Sequence, residues 1–504
     1  MSNTTVSLLS AGVLACLAAG STYANADNRD VIIVLNEELE TLEPCMASQS
    51  NIGRVILQNI SETLATVDPK TSELEPRLST SWENLGNGKW RFHLRKGVTF
   101  SDGSLFTAED VMHSLKRTLS DKVACELKAR YFGNMSLKPE VVDEYTIDVS
   151  ADPAQPILPL LLSALTIVPA ETPIKFTRQP VGTGPYTLSE WNVGENIILK
   201  RRNDYWGETP QVEAAKYVFR SDSAVRAAMV AAGEADIVPQ IAEEDANNNK
   251  TDFSYPNSET TYLRLDHSVE PLNDIRIRKA LNLAIDRDAF LGTLVPEGAI
   301  VATHMVPTST LGWNAELKPW PYDPKQAKKL IAEAKADGVD VNKAIRLIAR
   351  TGQFPHATEI NEALTQMFND VGLNVKLEMH EVAEWIKFYS KPFTADRGPR
   401  MVTAQHDNSR GDPVFSMTWK YSCDGGQSGL CDTKLDGLIN QASAASGEER
   451  AQLWKPVFKR VHEDLVADVF LFHMVGFSRV ADRIDYTPTI STNSELPLEQ
   501  IRFK

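Results

Sequence analysis

Residues 94–117 read "LRKGVTFSDGSLFTAEDVMHSLKR". Asp102, Glu109 and Asp110 crowd around a glycine turn and a helix start, so the stretch is either a site of chemistry or a piece of architecture. Local chemistry favours architecture. Lys96-Gly97 and Ser101-Asp102-Gly103 are turn sequences. Thr107 is an N-cap, with Asp110 three residues on completing a capping-box-like pair. Glu109 and Asp110 also suit the positive end of the helix dipole. Val111, Met112, Leu115 and Leu119 then form one buried helical face. A calcium loop needs alternating oxygen ligands and a closing Glu at fixed spacing, which this stretch lacks.

Outward from this point the chain alternates strands and helices. Just before it, Trp90, Phe92 and Leu94 alternate with Arg91, His93 and Arg95, as a half-buried strand requires. An apolar strand covers residues 31–35, and Ile52, Val55, Ile56, Ile60 and Leu64 predict a helix over residues 51–64. "AVRAAMVAAGEADIV" is a helix stopped at Gly233 that leads into a strand. "DIRIRKALNLAIDRDAFL", from Asp274, is an amphipathic helix with Ile275, Ile277, Ala280, Leu281 and Ala284 inward. Another helix is capped near Asp323, and a third stops at Gly372 before an alternating strand. This succession predicts an α/β architecture. Residues 504 in number suggest about three domains, with no internal repeat and no low-complexity linker to separate them.

A net charge of −15 argues against nucleic acid or an anionic membrane as the main partner. Residues 6–20 form an apolar stretch too short to span a bilayer, followed by Ala24-Asn25-Ala26, a small-x-small pattern. This predicts a signal peptide cut after Ala26 and an exported, soluble chain. Lipidation at Cys16 is the lesser alternative, because Leu14 stands where a small residue belongs. Removing Cys16 leaves Cys45, Cys125, Cys423 and Cys431, an even number that favours disulfides in an exported chain. Cys423 and Cys431 close a short glycine-bearing loop, which leaves Cys45 with Cys125; four separate buried thiols are the alternative.

Four motifs in order, "LRKGVTFSDGSLFTAEDVMHSLKR", "VGTGPYTLSEW", "RRNDYWG" and "DIRIRKALNLAIDRD", resemble the family-5 solute-binding proteins of ABC importers, the group with dipeptide-, oligopeptide- and nickel-binding members. The resemblance runs from Val31 to about Phe503. It implies a bilobed periplasmic-binding-protein fold of type II with three domains. Domain I takes residues 27–68, 180–272 and 485–504, domain II 69–179, and domain III 273–484. The chain then crosses between lobes near residues 181–184 and near Asp274, and the lobes close about a hinge. "GTGPY" is read as a tight turn beside that hinge, since a phosphate loop needs a Lys and a Ser or Thr opening a helix.

Peptide-binding relatives hold the ligand's α-amino group with an Asp before a Gly-Asp-Pro-like turn. In "AQHDNSRGDPVFSMTWKY" the candidates are Asp407, six residues before Pro413 where the relatives have four, and its neighbour Asn408; the relatives' spacing falls on Ser409. An Asx-type turn by Asp407 or Asn408 is the structural alternative. The dipeptide branch grips the carboxylate with an Arg, and Arg350 in "LIARTGQFPHA" matches. Trp419 and Tyr421 are candidates for an aromatic pocket or for core. Ser48, Gln49 and Ser50, in the early loop "CMASQSN", would offer backbone groups to an extended ligand.

The expected function is therefore capture of a small ligand, foremost a short peptide, by a monomer that delivers it in the periplasm to the transmembrane subunits of an ABC permease. Arg410 keeps open an anionic, opine-like or sugar-like ligand, and a nickel chelate is a further alternative. No cofactor, metal or catalytic residue is expected. The histidines are scattered without a paired ligand motif, and three enzyme signatures fail. "GQSGL" at Gly426 lacks the last Gly of a nucleophile elbow, and "HEVAE" at His380 and "HEDLV" at His462 lack the second His of a zinc helix. A periplasmic hydrolase is the second class.

Overall fold

A computed structural model of the chain describes residues 29–68, 73–132, 135–393 and 398–504. The apolar stretch 6–20, Cys16 and the Ala26 cleavage point lie outside these.

An 11-stranded mixed sheet runs through the molecule. From one edge its strands are Val375–His380, Ile345–Arg350, Arg400–Asp407, Asp252–Leu265, Asp468–Val480, Ile237–Ile241, Val31–Leu35, Ala214–Phe219, Asn196–Arg201 and Tyr186–Asn192, with Ile300–Val301 paired to Asp468–Val480. The pairings at Val31–Leu35 with Ala214–Phe219 and at Ile345–Arg350 with both its neighbours are parallel, and Val31–Leu35 reads as a continuous apolar run, as a doubly covered strand does. Two long antiparallel strands, Asp252–Leu265 and Asp468–Val480, hold the two halves together.

Apolar side chains collect on either side of that join. One core gathers Val31, Ile33, Ile56, Tyr186, Leu199 and Ile237 with Val480 and Ile484. Others gather Leu263, Leu281, Ile345, Leu347 and Leu471, and Tyr262, Ile348, Val402 and Phe470. The chain thus passes from one half to the other within the strands, between Pro256 and Thr260 and again between His473 and Val475, where the register shifts. Asp274, near which the resemblance places a crossing between lobes, caps the helix Ile275–Leu283, its carboxylate accepting from the Arg276 amide at 2.8 Å.

A separate four-stranded sheet, in the order Ser79–Gly86, Lys89–Leu94, Thr146–Asp152, Ser136–Asp143, packs under the helix Ala108–Leu119. Phe92 and Leu94 enter its core, as the alternation predicts. The Thr107 amide donates to Asp110 Oδ2 at 2.7 Å, and the Ala170 amide to Asp110 Oδ1 at 2.7 Å. Asp102 Oδ1 accepts from the Ser104 amide at 3.0 Å, closing the turn. Capping and turn formation thus engage Asp110 and Asp102, and Glu109 is an exposed first-turn acid.

The quoted motifs meet in space. The Arg202 guanidinium, from "RRNDYWG", is buried and donates to the carbonyls of Thr99 at 3.2 Å, Phe100 at 3.1 Å, Gly182 at 3.4 Å and Gly184 at 3.3 Å. Gly182 and Gly184 lie so close to residues 59–60 that a Cβ on Gly182 would sit 2.0 Å from the Ile60 carbonyl oxygen. "GTGPY" is therefore a turn pressed against backbone. Farther along, Glu62 accepts from Arg77 at 2.7 Å, Tyr205 at 2.9 Å and Trp206 at 2.8 Å.

Two expected helices are shorter than their apolar periodicity. The helix predicted over 51–64 spans Ser50–Ile56, because Gln58 takes a left-handed φ of 59° and Asn59 turns its amide to the carbonyls of Arg54 and Leu496. The helix from Asp274 ends at Leu283, where Arg287 folds back to bond the Asn282 and Phe470 carbonyls. Disulfides join Cys45 to Cys125 and Cys423 to Cys431. Among the described residues, no helix is long and apolar enough to cross a membrane.

Candidate functional site

A cavity of about 1080 Å³ lies between the two halves. Its first wall comes from Asn36 and Glu37 after the first strand, from Ser48, Gln49, Ser50 and Asn51, and from Arg54. The 3-10 turn Pro44–Met46 and its disulfide to Cys125 fix that loop. Glu43 beneath it pairs with Arg117 at 2.7 and 2.9 Å, both side chains buried.

The opposite wall is built from strand ends. Gln405, His406 and Asp407 close the strand Arg400–Asp407, and Arg350 closes its parallel neighbour Ile345–Arg350. Side chains at such ends face the cleft because each strand stops there, the usual place for a site in a parallel sheet. The pairing of these two strands ends at Ile348 opposite Val402. Continued by two residues, it sets Arg350 beside Ala404, three residues from Asp407. With strands about 4.8 Å apart and rising about 3.3 Å per residue, the two Cα positions are about 11 Å apart.

Asp407 is fixed by hydroxyls. Ser258 donates to its Oδ1 and Ser409 to its Oδ2, the latter at 3.2 Å. Glu259 faces it directly across the antiparallel pair, so two carboxylates share one stretch of wall. Burial first, and then the charge of Asp407, push the Glu259 carboxyl up to about 7, although Asn493, Arg54 and Asn257 favour its charged form. Burial and Asp407 raise Glu495 as well, against Arg410. Arg350 Nη2 lies 3.9 Å from Glu37 Oε2, bridging the cavity from one half to the other.

Of the residues singled out from sequence, Ser48, Gln49, Ser50, Arg350, Asp407 and Trp419 line this one cavity. Asn408 and Tyr421 do not. Asn408 is buried and donates to the Asp412 carbonyl at 3.3 Å, while Asp412 anchors the turn through Arg450 at 2.8 Å. The Tyr421 hydroxyl donates to Asp468 Oδ2 at 2.7 Å inside the core. Arg410 is turned away too, donating to Ser163 Oγ at 3.0 Å. Sequence reasoning passed over Glu259, Arg54 and Lys420, all on the cavity wall. Their signal was faint: Glu259 sits in "SETTYLRL", an ordinary alternating strand until its partner is known. Ser428 of "GQSGL" donates to the Leu430 carbonyl at 2.7 Å. Among the described residues, no group of three or more His, Cys, Asp or Glu is placed to hold a metal ion.

Two α/β halves joined by long strands around a polar, strand-end cleft define a bilobed binding protein of the periplasmic, peptide-binding type. The model of the bacterial extracellular solute-binding proteins, family 5 Middle, matches residues 73–428, and the chain belongs to that family. It is 27% identical over 456 residues to the dipeptide-binding protein of Escherichia coli K12, covering 82% of this chain and 83% of that one. It is 26% identical over 468 residues to heme-binding protein A of Haemophilus influenzae, covering 85% and 84%. The solved periplasmic binding protein DppA of Helicobacter pylori, in complex with the peptide STSA, superposes with a TM-score of 0.81 at 21% identity, covering 94% of this chain and 98% of that one.

Proposed function

We propose that this chain captures a short peptide between its lobes, outside the cytoplasm, and presents it unchanged to an ABC permease. The observation that carries this reading is the arrangement of opposite charges along the strand-end wall. The Glu259–Asp407 pair suits a ligand ammonium, and Arg350 offers a bidentate grip on a carboxylate. The relatives that bind dipeptides support the same ligand class. Ser48, Gln49, Ser50 and Trp419 would line the remainder of the ligand.

The reading takes the lobes as three domains, with domain I split along the chain, and has them close about the strands Asp252–Leu265 and Asp468–Val480. The protein acts as a monomer without cofactor or catalytic step, after export and cleavage behind Ala26. Mass spectrometry of the copurified ligand, then calorimetry with dipeptide and tripeptide pools, tests the reading. Arg350→Ala and Asp407→Ala are each expected to weaken binding by about 2–5 kcal/mol, since each leaves a desolvated charge unpaired. Failure of every peptide pool to bind overturns the ligand class, and unaltered binding by both variants overturns the anchors. Amino-terminal sequencing of the secreted chain checks the cleavage point.

A further inference from the structure

A second cavity of about 380 Å³ opens off the first. The two share Glu259, Gln405, Glu244 and His356 as common wall. Glu244 and His356 stand 3.6 Å apart at the junction, and His356 is held there by a left-handed φ of 58° at the start of the helix Ala357–Asp370. Beyond the junction the wall turns apolar: Leu294, Val295 and Pro296 face Met474, Val475 and Phe477. Val295 and Met474 are buried in the core behind them, so this wall is set by packing before any ligand arrives.

We propose that this side cavity receives a bulky apolar side chain from the first residue of the captured peptide, which makes the ligand class peptides that begin with a Leu- or Phe-like residue. The inference rests on the peptide reading above. If the ligand ammonium sits at Asp407 and Glu259, its Cα is one bond away, beside the wall the two cavities share. The side chain on that Cα leaves at the junction, and the apolar wall rewards burying it, whereas a charged side chain there would be desolvated. Glu243 on the second cavity's wall and Glu244 at the junction make a basic first residue the competing outcome.

Calorimetry on the mature chain with Ala-Ala, Leu-Ala, Phe-Ala, Ala-Leu and Lys-Ala tests it. Leu-Ala and Phe-Ala are expected to bind at least about tenfold more tightly than Ala-Ala, with a smaller gain for Ala-Leu. Leu294→Asp is expected to bring the Leu-Ala to Ala-Ala ratio close to one. Thr293→Trp, at an exposed position on the cavity edge, is expected to do the same and decides the matter if Leu294→Asp does not fold. Leu-Ala binding no more tightly than Ala-Ala, Lys-Ala binding best, or a ratio that survives substitution overturns the side-cavity assignment while leaving the peptide reading intact. Binding of none of the five overturns the side-cavity assignment, and the peptide reading falls with it when the dipeptide and tripeptide pools fail too.

Discussion

Glu259 is the residue whose chemistry depends most on its neighbours. Its folded pKa of about 7 lies above the ordinary carboxyl value of 4.5. Between those values the folded protein holds more protons at this position than the unfolded chain, so stability falls as pH rises through that window. Glu259→Gln is expected to flatten this slope, as read by urea unfolding at pH 5 and pH 7. A ligand ammonium favours the charged form, so peptide binding near pH 6 is expected to release a proton, and affinity to rise from pH 5 to pH 7. Calorimetry in buffers of different ionisation enthalpy measures that proton. Tyr421 marks the opposite case. Tyr421→Phe is expected to cost about 1–3 kcal/mol, because Asp468 loses its buried donor, yet to leave peptide affinity unchanged. Asp407 and Arg350 could be singled out as candidates because one stands before a Gly-Asp-Pro turn and the other ends an apolar strand, although Asp407 lies six residues before Pro413 where the relatives have four. Glu259 was not, because only the pairing of Asp252–Leu265 with Arg400–Asp407 makes it a partner of Asp407.

At the scale of elements, turn and cap chemistry was readable and element length was not. Thr107, Asp110, Asp323 and Gly372 mark boundaries through bonds to residues near them in sequence or through a positive φ. The helices from Ser50 and from Ile275 end early through partners far away, namely Leu496 and Phe470, which no local periodicity encodes. Arg202 binds four carbonyls from two separate motifs. Arg202→Ala is therefore expected to destabilise by about 3 kcal/mol, through lost charge-assisted bonds and carbonyls left dry, seen as a lower urea midpoint. The Cys45–Cys125 bridge closes a separation of 80 residues. Replacing both cysteines by serine is expected to cost about 4 kcal/mol by loop entropy. It is also expected to weaken ligand binding, because the bridge steadies the loop that carries Ser48, Gln49 and Ser50.

For the whole molecule, capture means that one ligand touches both halves and shifts an open–closed equilibrium by its differential affinity. At a hundredfold excess over Kd, a peptide is expected to add about 2.7 kcal/mol of stability, visible as a rise in Tm. Small-angle scattering is expected to record a smaller radius of gyration with ligand than without. The cation Arg350 and the anion Glu37 already face each other across the cavity. The α/β alternation and the caps and turns could be read from the chain alone, since they rest on apolar periodicity and on side chains bonding backbone a few residues away, and the scaffold through four motifs that resemble a family. Where the halves join, which of the candidates face the cavity, and that Glu259 shares a wall with Asp407 emerge only on folding. Those depend on strand register and burial between segments more than a hundred residues apart, where no local pattern carries the information. The acids of residues 99–111 follow the first rule: each is explained by its neighbours, and the ligand chemistry lies elsewhere.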